Sequence, residues 1–453
     1  MSETDKRIVR WVARTVLIGL FTSGLTLAIR LATKPAPPPN RDYVAEYNAM
    51  LDQIGPYDQG VWNRIEGEAI VCEVYCESAA KEVFGDLGTA DDINVFLLLF
   101  PEDYVFPDQN PPIDPRDELT LEATRLAYER LDDLDVGVSL DEPFRAPPMR
   151  PPLQSHVFSG NTEDVRALGF LLMARCDFAL QRRDRAGTAQ HLRRLTQSAH
   201  VSIQNCSGMD IISGVSMMRY AHVQTARTIA SNCGINPSEL LAALPHDLRM
   251  TQVMMRDSKA SRLLLLDTFD RHFNGDPTGT IERYGLLTRL WASHGEYYKA
   301  INDKFDLVDQ WVQLPPIERR KQSLRDLIAP VNTPNKFIDE LIEIALCRPD
   351  LMDFADQRYK AIRLMLALEV HRERNDAYPE ALTQLVPDIL PELPDDPYAT
   401  DGMFHYAREG DSYRLWSVAF DGVDDNGAPM ESKRGNDPFS GKGDWLLFPP
   451  PPE

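Results

Sequence analysis

From residue 41 to about residue 347 the apolar side chains recur with a helical period, and this commits most of the chain to an all-helical architecture. Residues 116–135 place Leu119, Ala123, Leu126 and Ala127 loosely on one side of a helix. Residues 162–182 follow Asn161 or Thr162 as a cap, with acids in the first turn where the helix dipole favours them. Arg183-Asp184 is a short connection, and residues 185–200 form a second helix with Ala189, Leu192, Thr196 and Ala199 on one stripe. Further helices are expected at 213–231, 237–243, 249–273, 281–291 and 334–347.

The 162–182/185–200 pair is an αα-hairpin that faintly resembles one tetratricopeptide unit, but the ~34-residue recurrence of such arrays is absent. A chain of 453 residues exceeds one ordinary core, so more than one domain is expected. Proline clusters at 35–39, near 107–115, at 143–152 and in the tail 450–453 read as linkers or extended surface segments. The helical domain is therefore set at 41–350.

Residues 15–29 carry no charge and are flanked by Arg14 and Arg30. A helix of that length spans about 22 Å, short of a hydrocarbon core of about 30 Å. Both arginines can snorkel, which extends the apolar span to 12–32. Lys6, Arg7, Arg10 and Arg14 precede it, so residues 1–11 form a cytoplasmic tail, 12–32 a transmembrane anchor and 33–40 a proline-rich linker to an exported body. The rival is a cleaved signal peptide, for which Thr26-Leu27-Ala28 offers a small-x-small site that Ile29-Arg30 follows poorly. The uncleaved anchor is preferred.

A net charge of −21 argues against a nucleic-acid partner, whose phosphates call for a basic surface, and suits cations, basic proteins or plain solubility. The six cysteines include no CxxC pair. Cys72 and Cys76 have a spacing that permits a metal pair, although buried small apolar residues are the preferred reading. No HExxH, GxSxG or GxxxxGK[ST] motif occurs. His294-Gly295-Glu296 reads as a surface pair, and Met217-Met218 and Met254-Met255 as core filler. No catalytic residue is expected.

The texture changes after Asp353. Tyr359, Ile362, Leu366 and Val370 mark one helix over 354–376, which Tyr378-Pro379 stops. A short helical turn at 382–386 follows, then Pro391, Pro394 and Pro397 keep the chain extended. Residues 403–408 and 412–420 read as a hairpin about Glu409-Gly410-Asp411, and 444–448 as a third strand. The expected fold is thus mainly α with a small α+β domain at 353–449: a long helix, a three-stranded antiparallel sheet and a long acidic loop at 421–443.

Tyr378-Pro379, Asp396-Pro397-Tyr398, Phe404, Tyr406, Ser417, Asp421-Gly422, Gly427 and Asp444-Trp445 stand in an order that resembles the globular part of the major pseudopilin of bacterial type II secretion. The resemblance covers about 95 of the 453 residues. It implies a calcium ion in the loop, held by the Asp421 side chain, the Val418 carbonyl and the Asp444 side chain. Calcium takes roughly six to eight hard oxygens at about 2.4 Å. Aspartates crowded together repel unless a cation or water screens them, and glycines let the backbone aim carbonyls inward. Where the family tends to place another acid this chain has Lys442, so Asp424 and Asp425, with Asn426 or Asp437, are candidates to supply the missing oxygen. Ala419 stands where the family has glycine. The alternative for the same loop is a solvated acidic turn without an ion.

The prepilin signal that opens a pseudopilin is missing, and some 320 residues separate the apolar segment from the long helix. The expectation is a non-catalytic protein of the bacterial inner membrane. It crosses once, its body lies in the periplasm, and its pseudopilin-like, calcium-binding head makes protein contacts. Two alternatives stay open: an assembly factor of a secretion or pilus-like apparatus, and an enzyme whose site lies in the helical domain.

Overall fold

The computed structural model describes residues 41–54, 57–84, 148–150, 161–205, 208–274, 293–333, 349–429 and 443–449, with Leu126 and Leu153. Among these the protein is mainly helical, with eleven α-helices and one three-stranded antiparallel sheet. No helix among the described residues is long and apolar enough to cross a membrane. The expected anchor at 12–32 and the helices at 281–291 and 334–347 lie outside the described residues, as does all of 116–135 except Leu126.

Helices α1 (Tyr43–Leu51) and α2 (Gln59–Phe84) start at aspartates: Asp42 accepts from the Ala45 amide at 2.9 Å and Asp58 from the Gly60 amide at 2.7 Å. The hairpin α3 (Asn161–Gln181)–α4 (Arg185–Gln204) turns at Arg183, whose φ of 58° is left-handed. Asp184 then caps α4 by accepting from the Gly187 amide at 3.0 Å. Helix α5 (Gly208–Ala230) crosses α4 closely at Gly214, where a Cβ would stand 2.7 Å from the Ile203 backbone nitrogen. Next come α6 (Pro237–Ala243), capped by Asn236, and α7 (Met250–Asn274). Met217, Met218 and Met254 are buried in the core, as core filler should be.

Helix α8 (His294–Val312) falls outside the expected set. Its signal was legible: Ser293 accepts from the Glu296 amide while the Glu296 carboxylate takes the Ser293 amide, a reciprocal capping box. His294-Gly295-Glu296, expected as an isolated surface pair, is therefore its first turn. The His294 ring stacks on Phe273 with centroids 4.9 Å apart. Short helices α9 (Pro316–Arg319) and α10 (Leu324–Ile328) follow.

Helix α11 (Pro349–Asn375) is the centre of the molecule. Almost every side chain from Met352 to Val370 is buried, so it is enclosed rather than one-faced. It packs on α5 and α6 on one side and reaches β3 on the other. Several of its enclosed charged residues are paired, whereas the Gln357 amide is buried with no partner among the described residues. Asp353 meets Arg319, Asp356 meets Lys360 at 2.7 Å, and Arg363 donates to the Pro245 carbonyl at 2.7 Å. One hydrophobic cluster runs from Tyr43 through this helix to Phe448.

A 3₁₀ turn at Leu382–Leu385 leads to β1 (His405–Glu409), β2 (Ser412–Ser417) and β3 (Trp445–Phe448), in spatial order β1-β2-β3. His405 pairs with Trp416 and Ser417 with Trp445, and a bulge falls between Leu415 and Trp416. Strand β2 stops earlier than residue 420 because Ala419 takes a left-handed φ of 53°, which no strand accommodates.

Candidate metal centre

Asp444 closes the base of the long loop. It is 1% exposed, and its Oδ2 accepts from the Asp425 amide at 2.9 Å and the Gly427 amide at 2.7 Å. Its own amide donates to the Ala428 carbonyl at 2.8 Å, so the two ends of the loop are tied beside one another. Gly427 has φ 75° and Asn426 φ 59°, the backbone conformations that aim successive amides at one carboxylate. The other oxygen, Oδ1, is buried and has no hydrogen-bond partner among the described residues. Burial raises the Asp444 pKa against the two amides, and the nearby charges of Asp424 and Asp425 add to the rise.

The remaining candidates separate. Asp424 Oδ1 accepts from Trp416 Nε1 at 3.0 Å and from the Asn426 amide at 2.9 Å, while Oδ2 lies 3.3 Å from His405 Nδ1. Burial pushes the Asp424 pKa up, but these donors and His405 outweigh it and hold the carboxyl below its usual range. Asp421 Oδ1 accepts from the Val423 amide at 3.0 Å, a local Asx turn. Asp425 contributes its backbone amide to Asp444, and its side chain is exposed. Val418 is buried just past the end of β2. Residues 430–442, including Lys442 and Asp437, lie outside the described residues. No cluster of three or more His, Cys, Asp or Glu side chains arranged around a common point occurs among the described residues.

A cation that the sequence did not flag stands on the other side of this turn. Arg320, just after α9, donates to the carbonyls of Phe420 at 3.0 Å and Pro397 at 3.1 Å, and approaches that of Ala419 at 3.5 Å. Its guanidinium lies 4.4 Å from the Tyr398 ring centroid. Burial draws its pKa down, while Tyr398, Asp353, Asp396 and Asp421 act to keep the charge. Asp396 of the Asp-Pro-Tyr motif is 2% exposed and accepts from the Tyr398 amide at 2.9 Å. Burial pushes its carboxyl up to about 6. In the sequence Arg320 sits in the run ERRK, which looks like any solvated basic stretch; only the tertiary fold turns it inward.

His222 of α5 stands beside the long helix, its Nδ1 3.0 Å from Arg358 Nη1. Arg358 in turn lies over the Phe354 ring at 4.7 Å, and Phe354 meets Trp445 edge-on at 5.0 Å. The residue after Asp444 is thus braced from the helical part of the chain. Cys72 and Cys76 lie on α2 as expected, and among the described residues Cys176 and Cys233 are free and buried.

Comparison with known proteins returned no matching family model, no matching curated protein and no matching solved structure.

Proposed function

We propose that the chain is a non-catalytic, membrane-anchored protein of the bacterial envelope. Its pseudopilin-like head, formed by the distal part of α11 and the sheet, is carried on a helical platform and makes protein contacts. A calcium ion at the base of the 421–443 loop staples this head. The single observation that supports the ion is Asp444: a buried carboxylate with one oxygen committed to two amides and the other without a partner among the described residues. An unmet buried carboxylate oxygen costs on the order of 1–3 kcal/mol, and a divalent cation is the partner that such a lone pair suits. Asp444 would supply that oxygen, with its electrostatic neighbours Asp424 and Asp425 as further donors; Asp421 and the Val418 carbonyl would have to move toward it. The ion would add charge neutralisation and loop closure. Burial of α11 against α5 and α6 supports a head fixed in cis rather than a subunit that polymerises along that helix. The exposed side chains of Met403 and Val423 and the outer edge of β1 give the head a surface for another protein.

The test is a thermal melt of the detergent-solubilised full chain in calcium and in chelator. Calcium is expected to raise the midpoint by several degrees, and Asp444→Asn to abolish the difference while leaving the chelated midpoint nearly unchanged. Superimposable wild-type melts would remove the ion. Protease digestion of spheroplasts tests the topology: the body is expected to be cut from outside, and full protection would reverse it.

A further inference from the structure

We propose that a cavity in the helical part, remote in sequence from the head, binds a small soluble molecule carrying a phosphate group. The cavity has a volume of about 380 Å³, within the range of small-ligand sites. It is walled by the turn after α1, by α4, by the 244–249 loop and by the first turns of α7. Its charged lining runs against the rest of the chain. In a protein of net charge −21, this concavity sets two guanidinium groups, Arg249 and Arg256, and the rings of His200 and His246 against one carboxylate among the described residues, Asp247.

The arrangement has defined supports. Gln204 lies between the walls: its amide donates to the Leu248 carbonyl at 2.7 Å and its side-chain oxygen meets the Arg256 guanidinium. Asp247 accepts from the Arg249 amide at 2.9 Å and stands 3.8 Å from Arg249 Nε and 3.9 Å from His246 Nδ1. Arg249 holds a left-handed φ of 48° and receives the Gln252 amide at 2.8 Å, which opens α7 at the cavity. The amide end of that 25-residue helix adds its partial positive charge to the two guanidinium groups. Burial lowers the His200 pKa to about 4, so at neutral pH the ring offers one N–H donor without a charge to neutralise. Guanidinium groups suit a phosphate bidentately, and the glutamines at 53 and 252 suit the hydroxyl groups of the rest of such a molecule.

The cavity also touches the core of the chain. The carbonyl of Pro245, in its wall, is held by the Tyr359 hydroxyl and by Arg363 of α11. An occupant therefore bears on the loop that the central helix grips.

Calorimetric titration of the full chain, at fixed calcium and fixed ionic strength, tests this with glycerol 3-phosphate and inorganic phosphate as probes. Saturable binding of glycerol 3-phosphate is expected, tighter than that of inorganic phosphate and weakened at least tenfold by Arg256→Gln. Asp247→Asn, which keeps the acceptor for Arg249 but removes the opposing charge, is expected to tighten it about threefold. A heat trace no different from sodium chloride would overturn the proposal, and so would binding indifferent to both variants. Uptake of phosphatidylglycerol into the protein's micelles without binding of either soluble probe would also overturn it. Because calcium is held constant, none of these outcomes depends on the loop at Asp444.

Discussion

At the scale of single residues, Arg320 connects the two textures of the chain. It serves two well-formed carbonyl hydrogen bonds, a longer third one and an aromatic face at once. A lysine has neither the fork nor the flat surface. Arg320→Ala is expected to cost about 2–4 kcal/mol in denaturant unfolding, and Arg320→Lys to recover less than half of it. Full recovery by lysine would mean that charge alone matters. Asp396 sets a pH dependence. Its folded pKa of about 6 lies above the 3.8 of an ordinary aspartate, so the folded state holds the proton more tightly. The stability from this group is fully present below about pH 4, falls as pH rises through about 6, and is absent above it, a span of roughly 3 kcal/mol. Asp396→Asn keeps the acceptor for the Tyr398 amide, so it is expected to flatten the slope between pH 4 and 6 and to raise stability at pH 7.5. An unchanged slope would assign the titration elsewhere. These roles were only partly legible beforehand. Asp421 and Asp424 were readable as acids gathered in a glycine-rich loop. Their use as Asx-turn acceptors, the engagement of Asp424 by Trp416 and His405, and the reach of Arg320 from some 100 positions away depend on tertiary contacts that carry no local signal.

At the scale of elements, helix α8 shows how much a cap can decide. The Ser293/Glu296 box satisfies two amides that would otherwise face the end of the helix unpaired. Ser293→Ala is expected to cost about 1 kcal/mol, with Glu296→Ala similar and the double variant less than additive; strict additivity would show that the two arms act independently. The α3–α4 hairpin, α6, α7 and the three strands stand close to their expected positions because their apolar periods are long or their turn residues decisive. The expected strand at 412–420 overran because Leu415 to Phe420 is apolar without a break, whereas the left-handed Ala419 ends β2 at Ser417. The stripe of Tyr359, Ile362, Leu366 and Val370 located α11 but not its enclosure, since Asp353, Asp356, Arg363 and Glu369 look solvent-facing until their partners Arg319, Lys360, the Pro245 carbonyl and Tyr378 are known.

At the scale of the whole molecule, one enclosed helix joins a helical platform to a small sheet, and the platform lends the sheet Arg320 and the His222–Arg358 brace. In the proposed reading a calcium ion meets the Asp444 oxygen that has no hydrogen-bond partner among the described residues. Isothermal titration of calcium into the chelator-stripped full chain tests this most directly. One saturable site per chain is expected, lost in Asp444→Asn and retained in Asp247→Asn, whose altered cavity lies in the helical part. A wild-type protein that takes up no calcium, or one whose uptake is untouched by Asp444→Asn, would contradict it.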